Sequence, residues 1–379
     1  MPEFYAVIGA NYGDEGKGLI TDYLSSTLGQ NCVVCRFNGG AQAGHTVVRQ
    51  DGKRHVFSHI GSGTYNGCRT HLSKFFITNP PMLKKEYADL NFPCDITVDP
   101  SCLVTTVWDV ALNQLAELSR GKNKHGSCGL GINETIERSK YIKLTVADLE
   151  DEKKLRRTLL NIQNSYFDKR RLELKIPAKL INDSMYHSVY RLDLCDKVIS
   201  NCNWFLEHVD IVEDREALYS CPIVFEGAQG LRLDQNNMSE FPFLTRSNTG
   251  CTNVCDLLEE IGERHLKTVY VTRSYVTRHG NGNLRGEVLK EEYIRRHPKV
   301  LDNTNLYNRF QDHLRFAPFG SINIRPLVNR DQVQICDRNI FAKAFYSITC
   351  LDQVDHPLKK DFSFQSYGPT KEDIKVIDL

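Results

Sequence analysis

Apolar residues in this chain fall into short, nearly unbroken runs separated by longer amphipathic stretches. FYAVIGA (4–10) predicts a buried strand, a glycine-rich turn follows it, and the pattern then predicts a helix from about Lys17 to Leu28. CVVCRF (32–37) predicts a second strand of the same character. IVFEGAQG (223–230) and KTVYVTRSYVTR (267–278) predict two more, each running into a loop of glycine and polar residues. Helix-like stretches cover 150–175, 186–208 and 252–263, and the charged stretch 150–175 reads as a solvated helix face or a lobe on the main body. Strands alternating with helices predict an α/β fold, a mostly parallel central sheet flanked by helices. The chain 1–379 is read as one domain with a helical elaboration around 150–210. In such sheets the functional loops leave the carboxyl ends of the strands, and the loops after 10, 37, 228 and 278 all stand there.

Composition narrows the class. With 379 residues, 41% of them hydrophobic, the chain can bury a sizeable core. Lys+Arg (48) and Asp+Glu (47) nearly cancel, so no field of one sign directs it to nucleic acid or to an anionic membrane. No apolar run approaches the roughly 18 residues of a membrane span. The start, MPEFYAVIGANYG, lacks the basic and long apolar regions of a signal peptide, so the expected location is cytoplasmic. The thirteen cysteines lie mostly inside apolar segments and read as reduced core thiols of a cytosolic protein. Cys32 and Cys35 form a CxxC without a partner pair, which fits a buried strand better than a zinc or redox site.

Candidate chemistry concentrates in two glycine-rich loops. Residues 11–22 read NYGDEGKGLITD. Set against the phosphate-loop pattern GxxxxGK[ST], Asn11 stands where the first glycine belongs and Gly18 where the metal-binding hydroxyl belongs, which disfavours an ordinary GTPase switch. The physics of the loop is retained all the same. Gly13, Gly16 and Gly18 leave backbone N–H groups able to face an anion at a helix N-terminus, and Lys17 adds a cation. The second loop, RFNGGAQAGHTVV (36–48), opens beside the first and brings His45 and Thr46. Asp14 and His45 then flank one phosphate cradle as a base and an acid.

These segments carry a resemblance. GDEGKG (13–18) followed by GGAQAGHT (39–46) resembles adenylosuccinate synthetase, whose pattern is close to WGDEGKGK and GGxNAGHT. HVFSHIGSG (55–63) resembles the family's segment after the histidine loop, and GSCGLGINETIER (126–138) its GTTGRGIGP region. FEGAQGLRLD with FPFLTRSNT (225–249) is similar to FEGAQGxxLD and YPxVTSSNT, and SYVTRHGNG (274–282) to AYxTRVGxG. TCLD (349–352) and SYGP (366–369) resemble TKLD and STGP.

The resemblance implies a ligase that joins L-aspartate to C6 of a purine nucleoside monophosphate, using a nucleoside triphosphate and Mg²⁺. The 6-oxygen is first phosphorylated, and aspartate's amine then displaces phosphate. Asp14 matches the general base, which takes the N1 proton and helps hold Mg²⁺, and His45 matches the general acid. Glu15 is given the part of orienting the loop, without a catalytic role. Gly13, Gly16, Lys17, Gly18, Thr46 and Gly368 match triphosphate-binding positions, Gly44 offers a carbonyl to the metal, and Asp352 matches the acid that reads guanine of GTP. Gln42, Ser127, Cys128, Gln229 and Thr245 match the monophosphate site, and Arg138 the arginine that reaches a neighbouring subunit of a homodimer. Thr304, Asn305 and Arg315 are the candidates for aspartate.

The departures from the family pattern keep the substrates open. Gln42 replaces an asparagine, Cys128 a threonine and Cys350 a lysine, and the family's run of arginines is replaced by NTNLYNRFQDHLRFAPF (303–319). The resemblance also makes the chain shorter than bacterial members and nearer the compact archaeal and viral forms. Retention of Asp14 favours IMP or its deoxy form, because a smaller residue such as serine is expected there in the viral branch that uses dGMP, often with ATP. The other departures favour that branch. Asp352 argues for GTP as donor, and Cys350 weakens the preference. A nucleotide-binding regulator without catalysis would be marked by loss of the acid–base pair, and both of its members are present.

Overall fold

A computed structural model describes residues 2–181, 186–300, 305 and 307–377. Among the described residues the central sheet has ten strands, in the spatial order 374–376, 364–366, 341–349, 265–273, 4–9, 223–226, 33–36, 69–72, 96–98 and 210–211. Every adjacent pair in it is parallel except Phe364–Ser366 with Ile374–Val376 at one edge. The strand Phe4–Gly9 lies in the middle of the sheet, buried at every position. Phe4, Ala6 and Ile8 enter one apolar layer, with Val254, Leu257 and Leu258 of the helix Thr252–Ile261 and Val328 of the helix Arg325–Asp337. Tyr5 and Val7 enter the opposite layer, with Ile20 and Leu24 of the helix Lys17–Leu28. Period-two alternation between two covered faces therefore explains why this strand reads as an unbroken apolar run.

Where the predicted elements shift, contacts distant in sequence are responsible. The run 267–278 is two strands, His265–Arg273 in the main sheet and Tyr275–Arg278 in an antiparallel pair with Arg315–Pro318. The break falls at Ser274, whose N–H donates to the Thr349 carbonyl and whose hydroxyl donates to the Cys350 carbonyl. The stretch 150–175 forms helix Glu152–Asn161, a π turn over Ile162–Tyr166 and helix Phe167–Glu173. It is more than a solvated face. Leu155, Leu159, Ile162 and Phe167 are fully buried in one apolar cluster with Trp108, Leu112 and Leu115 of the helix Val107–Arg120 and Phe205 of the helix Leu194–Leu206. All thirteen cysteines are unpaired thiols, and Cys32 and Cys35 are buried at the sheet. Among the described residues no helix is long and apolar enough to cross a membrane.

Candidate active site

The first loop is organised by Glu15. This carboxylate is buried, and its Oε1 accepts from the backbone N–H of Asn11 at 3.0 Å and of Gly13 at 2.8 Å. Its Oε2 pairs with Lys17 Nζ at 3.1 Å. The acid thus shapes the turn from inside, and Gly16, at φ 95°, turns the chain into the helix that starts at Lys17. Gly18 is dictated by the second loop. A Cβ there would lie 2.9 Å from His45 Cβ and 3.1 Å from the Ser62 hydroxyl, so a serine or threonine cannot fit without displacing the strand His45–Val48. Close approach of His45 is the physical reason this loop lacks the usual hydroxyl.

The second loop is tied to the segments after Glu226 and around Asn248, at the same end of the sheet. Asn38 donates from Nδ2 to the carbonyls of Ala228 and Asn248 and accepts from the Ala228 N–H at 2.7 Å. The result is a cleft of about 1070 Å³ whose wall includes Gly13, Asp14, Gly16, Lys17, Gly18, Gln42, Gly44, His45, Thr46, Ser127, Cys128, Gln229, Thr245 and Asn305. Base, acid, phosphate cradle and monophosphate positions expected from sequence therefore share one cavity.

Asp14 sits at φ 59°, a left-handed conformation uncommon for a residue with a side chain. Arg273 Nε donates to its carbonyl, and His279 Nε2 lies 2.8 Å from its Oδ2. Desolvation raises the Asp14 carboxyl, but His279, Arg273 and Lys17 together outweigh it and hold it below the ordinary carboxylate range. His45 Nδ1 lies 2.9 Å from Glu226 Oε1, at the carboxyl end of the strand Ile223–Glu226. Burial lowers the His45 imidazole and Glu226 opposes it. Burial likewise raises Glu226, but His45, Arg36 and Ser62 overcome it and bring the carboxyl to about 2. An ionised Glu226 on Nδ1 leaves Nε2 as the nitrogen able to serve the cleft, and a phosphate arriving there would favour the imidazolium.

Several expected site residues lie elsewhere. Arg138 is wholly buried, its Nε and Nη2 on the Asp109 carboxylate and its terminal nitrogens on the carbonyls of Ile142 and Val104. A guanidinium so enclosed cannot reach another subunit, and the sequence expectation is corrected: Arg138 braces its own chain. Arg315 directs Nη1 and Nη2 to the Gly282 carbonyl, at 2.9 and 2.7 Å, and is absent from the cleft wall. These bonds tie it to the two-stranded unit. Asp352 is exposed, with Cys350 and Gln353 lining the cleft beside it, and Gly368 packs on Asp373. Thr304 lies outside the described residues.

Sequence reasoning missed Glu226, Arg36, Arg273 and His279. A charge at the end of the buried run IVFE was one available signal, since an acid is placed inside an apolar strand only with a partner. The other was His279 itself, standing where the motif AYxTRVGxG has valine. Among the described residues no cluster of three or more His, Cys, Asp or Glu forms a metal cage. Asp14 and Gly44 both line the cleft, and one carboxylate with a backbone carbonyl is a donor set Mg²⁺ takes when water and substrate phosphates complete its shell.

The comparisons agree with this geometry. The family model described as adenylosuccinate synthetase matches residues 6–305. Adenylosuccinate synthetase of Borrelia turicatae is 29% identical over 293 residues, 75% of this chain and 65% of that protein. The Lactobacillus acidophilus enzyme is 31% identical over 297 residues, 76% of this chain and 65% of its own length. The matches thus span just under two thirds of these relatives. A fully ligated adenylosuccinate synthetase from Plasmodium falciparum superposes with a TM-score of 0.69 at 17% identity, covering 99% of this chain and 100% of that one. The cyanophage S-2L succinoaminodeoxyadenylate synthetase, bound to dGMP and to dATP as an energy donor, gives 0.62 at 14% identity, covering 100% and 96%. With its two glycine loops, its acid and its histidine gathered in one cleft, the chain belongs to the adenylosuccinate synthetase family.

Proposed function

We propose that this protein joins L-aspartate to C6 of a 6-oxopurine nucleoside monophosphate with cleavage of a nucleoside triphosphate. The observation that carries the reading is the presence of Asp14 and His45 in one cleft with Gly16, Lys17 and Gly18. Asp14 takes the N1 proton, which makes O6 nucleophilic toward the γ-phosphorus. His45, oriented by Glu226, donates to the oxygens on which charge develops. Lys17 and the N–H groups at the start of the helix Lys17–Leu28 hold the transferred group in line. The amine of aspartate then attacks C6, and phosphate leaves with the former O6. Mg²⁺, held by Asp14 and the Gly44 carbonyl, would neutralise phosphate charge. Ser127, Cys128, Gln229 and Thr245 line the monophosphate side, and Asn305 and the Thr304 segment are assigned to aspartate. The protein is proposed to act as a homodimer in the cytoplasm.

IMP or dIMP is the leading acceptor, because Asp14 is retained. A guanylate is the second reading, on the departures at Gln42, Cys128 and 303–319. Both ends of the Gln42 amide are buried in the cleft wall with no hydrogen-bond partner among the described residues, and the N1–H and O6 edge of either hypoxanthine or guanine would complete it. The cyanophage protein bound to dGMP makes that acceptor the natural competitor to test. The test is phosphate release and formation of the succinylated nucleotide with IMP, dIMP, GMP and dGMP. Release must require both aspartate and a monophosphate. Triphosphate cleavage indifferent to aspartate would sink the proposal.

A further inference from the structure

We infer that His279 is a positioning residue that ties the Asp14 carboxylate to the segment receiving the amino acid, an inference that rests on the function proposed above. His279 Nε2 stands 2.8 Å from Asp14 Oδ2 and 3.0 Å from Asn305 Oδ1. Two acceptors on one ring nitrogen require that nitrogen to carry a proton. One N–H is therefore shared between the base of the first chemical step and a side chain of the segment assigned to the second substrate.

The fold holds this bridge from both sides. His279 directly follows the strand Tyr275–Arg278, and the register Arg278↔Arg315 sends the residues after 278 and those before 315 out of the same end of the two-stranded unit. The chain beyond His279 is pinned, because Gly280 and Gly126 meet backbone to backbone: a Cβ on Gly126 would fall 2.4 Å from Gly280 Cα. Asn281 Nδ2 adds a hydrogen bond to the Lys124 carbonyl. On the other side, Arg273 grips the Asp14 carbonyl. The backbone of Asp14 is thus fixed independently, and what His279 adds is the rotation of the carboxylate and its link to Asn305. The valine of the family motif offers no N–H and can supply neither.

The experiment uses the full chain. His279→Val is expected to lower kcat ~10-fold, the scale of a misplaced reacting group, and to raise the KM for aspartate several-fold while leaving the KM for triphosphate within about two-fold. His279→Gln, whose amide N–H reaches toward the same acceptors, is expected to recover most of both losses. Wild-type behaviour of the valine variant, or a glutamine variant no better than valine, overturns the inference. A second measurement needs no turnover: in ¹⁵N spectra of imidazole-labelled protein without substrates, the Nε2-bound proton of His279 should be slow to exchange and should lose that protection in Asp14→Ala. Its absence from the wild type also overturns the bridge. Its presence in a wild type showing no aspartate-dependent phosphate release would refute the proposed function alone.

Discussion

Glu226 Oε1 stands 2.9 Å from His45 Nδ1, and Arg36 Nη1 lies 3.6 Å from the other oxygen of the same carboxylate, with Glu226 and Arg36 fully buried. The His45 ring is thus held beside a carboxylate whose own charge is balanced from behind. The Glu226 carboxyl is depressed from 4.5 to about 2, so its contribution to stability is fully present above its ordinary value and is lost as pH falls through the folded one. The size of the effect is on the order of 3 kcal/mol at about 1.4 kcal/mol per unit. Unfolding midpoints in denaturant should therefore fall more steeply from pH 4.5 to 2 in the wild type than in Glu226→Gln. Parallel curves would mean that Glu226 carries no such linkage.

Removing either member of the proposed acid–base pair should leave binding and abolish most turnover. Asp14→Asn and His45→Asn are each expected to lose ~10²-fold or more in kcat, the usual scale for a general acid or base. Nucleotide affinity, measured by calorimetry, should stay within a few-fold. Turnover close to wild type in either variant would remove that residue from the chemistry.

The sequence made the positions of the loops legible but not the directions of the side chains. FYAVIGA and the turn into Lys17–Leu28 were readable because their apolar pattern is local and both faces of the strand are covered. The division of 267–278 at Ser274 was not, because the hydrogen bonds that cause it come from Thr349 and Cys350, about 75 residues away, and leave the apolar pattern unbroken. Arg138 and Arg315 show the same limit. Motif matching supplied cations of the right type, whereas their donors are taken by Asp109 and by backbone carbonyls. Glu15 was read correctly as an orienting residue, since a carboxylate one residue from a phosphate-facing turn is favourable only if N–H groups and a cation enclose it.

Arg138 separates two accounts of assembly. Its guanidinium is enclosed with Asp109, so Arg138→Ala leaves a buried carboxylate without its partner and should destabilise the fold by roughly 3–5 kcal/mol. Any dimer found by light scattering should persist in this variant wherever the chain remains folded. A variant that folds with wild-type stability and dissociates to monomers would return Arg138 to an interface.

Donor choice depends on how exposed the reading group is. A buried carboxylate facing guanine accepts from N1–H and the 2-amino group, and adenine, lacking that pair, would leave it unsatisfied at a cost of about 1–3 kcal/mol. Asp352 is exposed, so water can replace either hydrogen bond and the penalty against adenine shrinks. Beside it Cys350 supplies no cation, and Gln353 Oε1 accepts from the Tyr275 hydroxyl at 2.8 Å, leaving the amide N–H groups of Gln353 to meet either base. The expected preference is GTP over ATP by only a few-fold in kcat/KM, erased by Asp352→Ala and little changed by Gln353→Ala. A strong ATP preference in the wild type, joined to dGMP as the best acceptor, would move the chain to the guanylate reading and remove Asp352 from donor recognition.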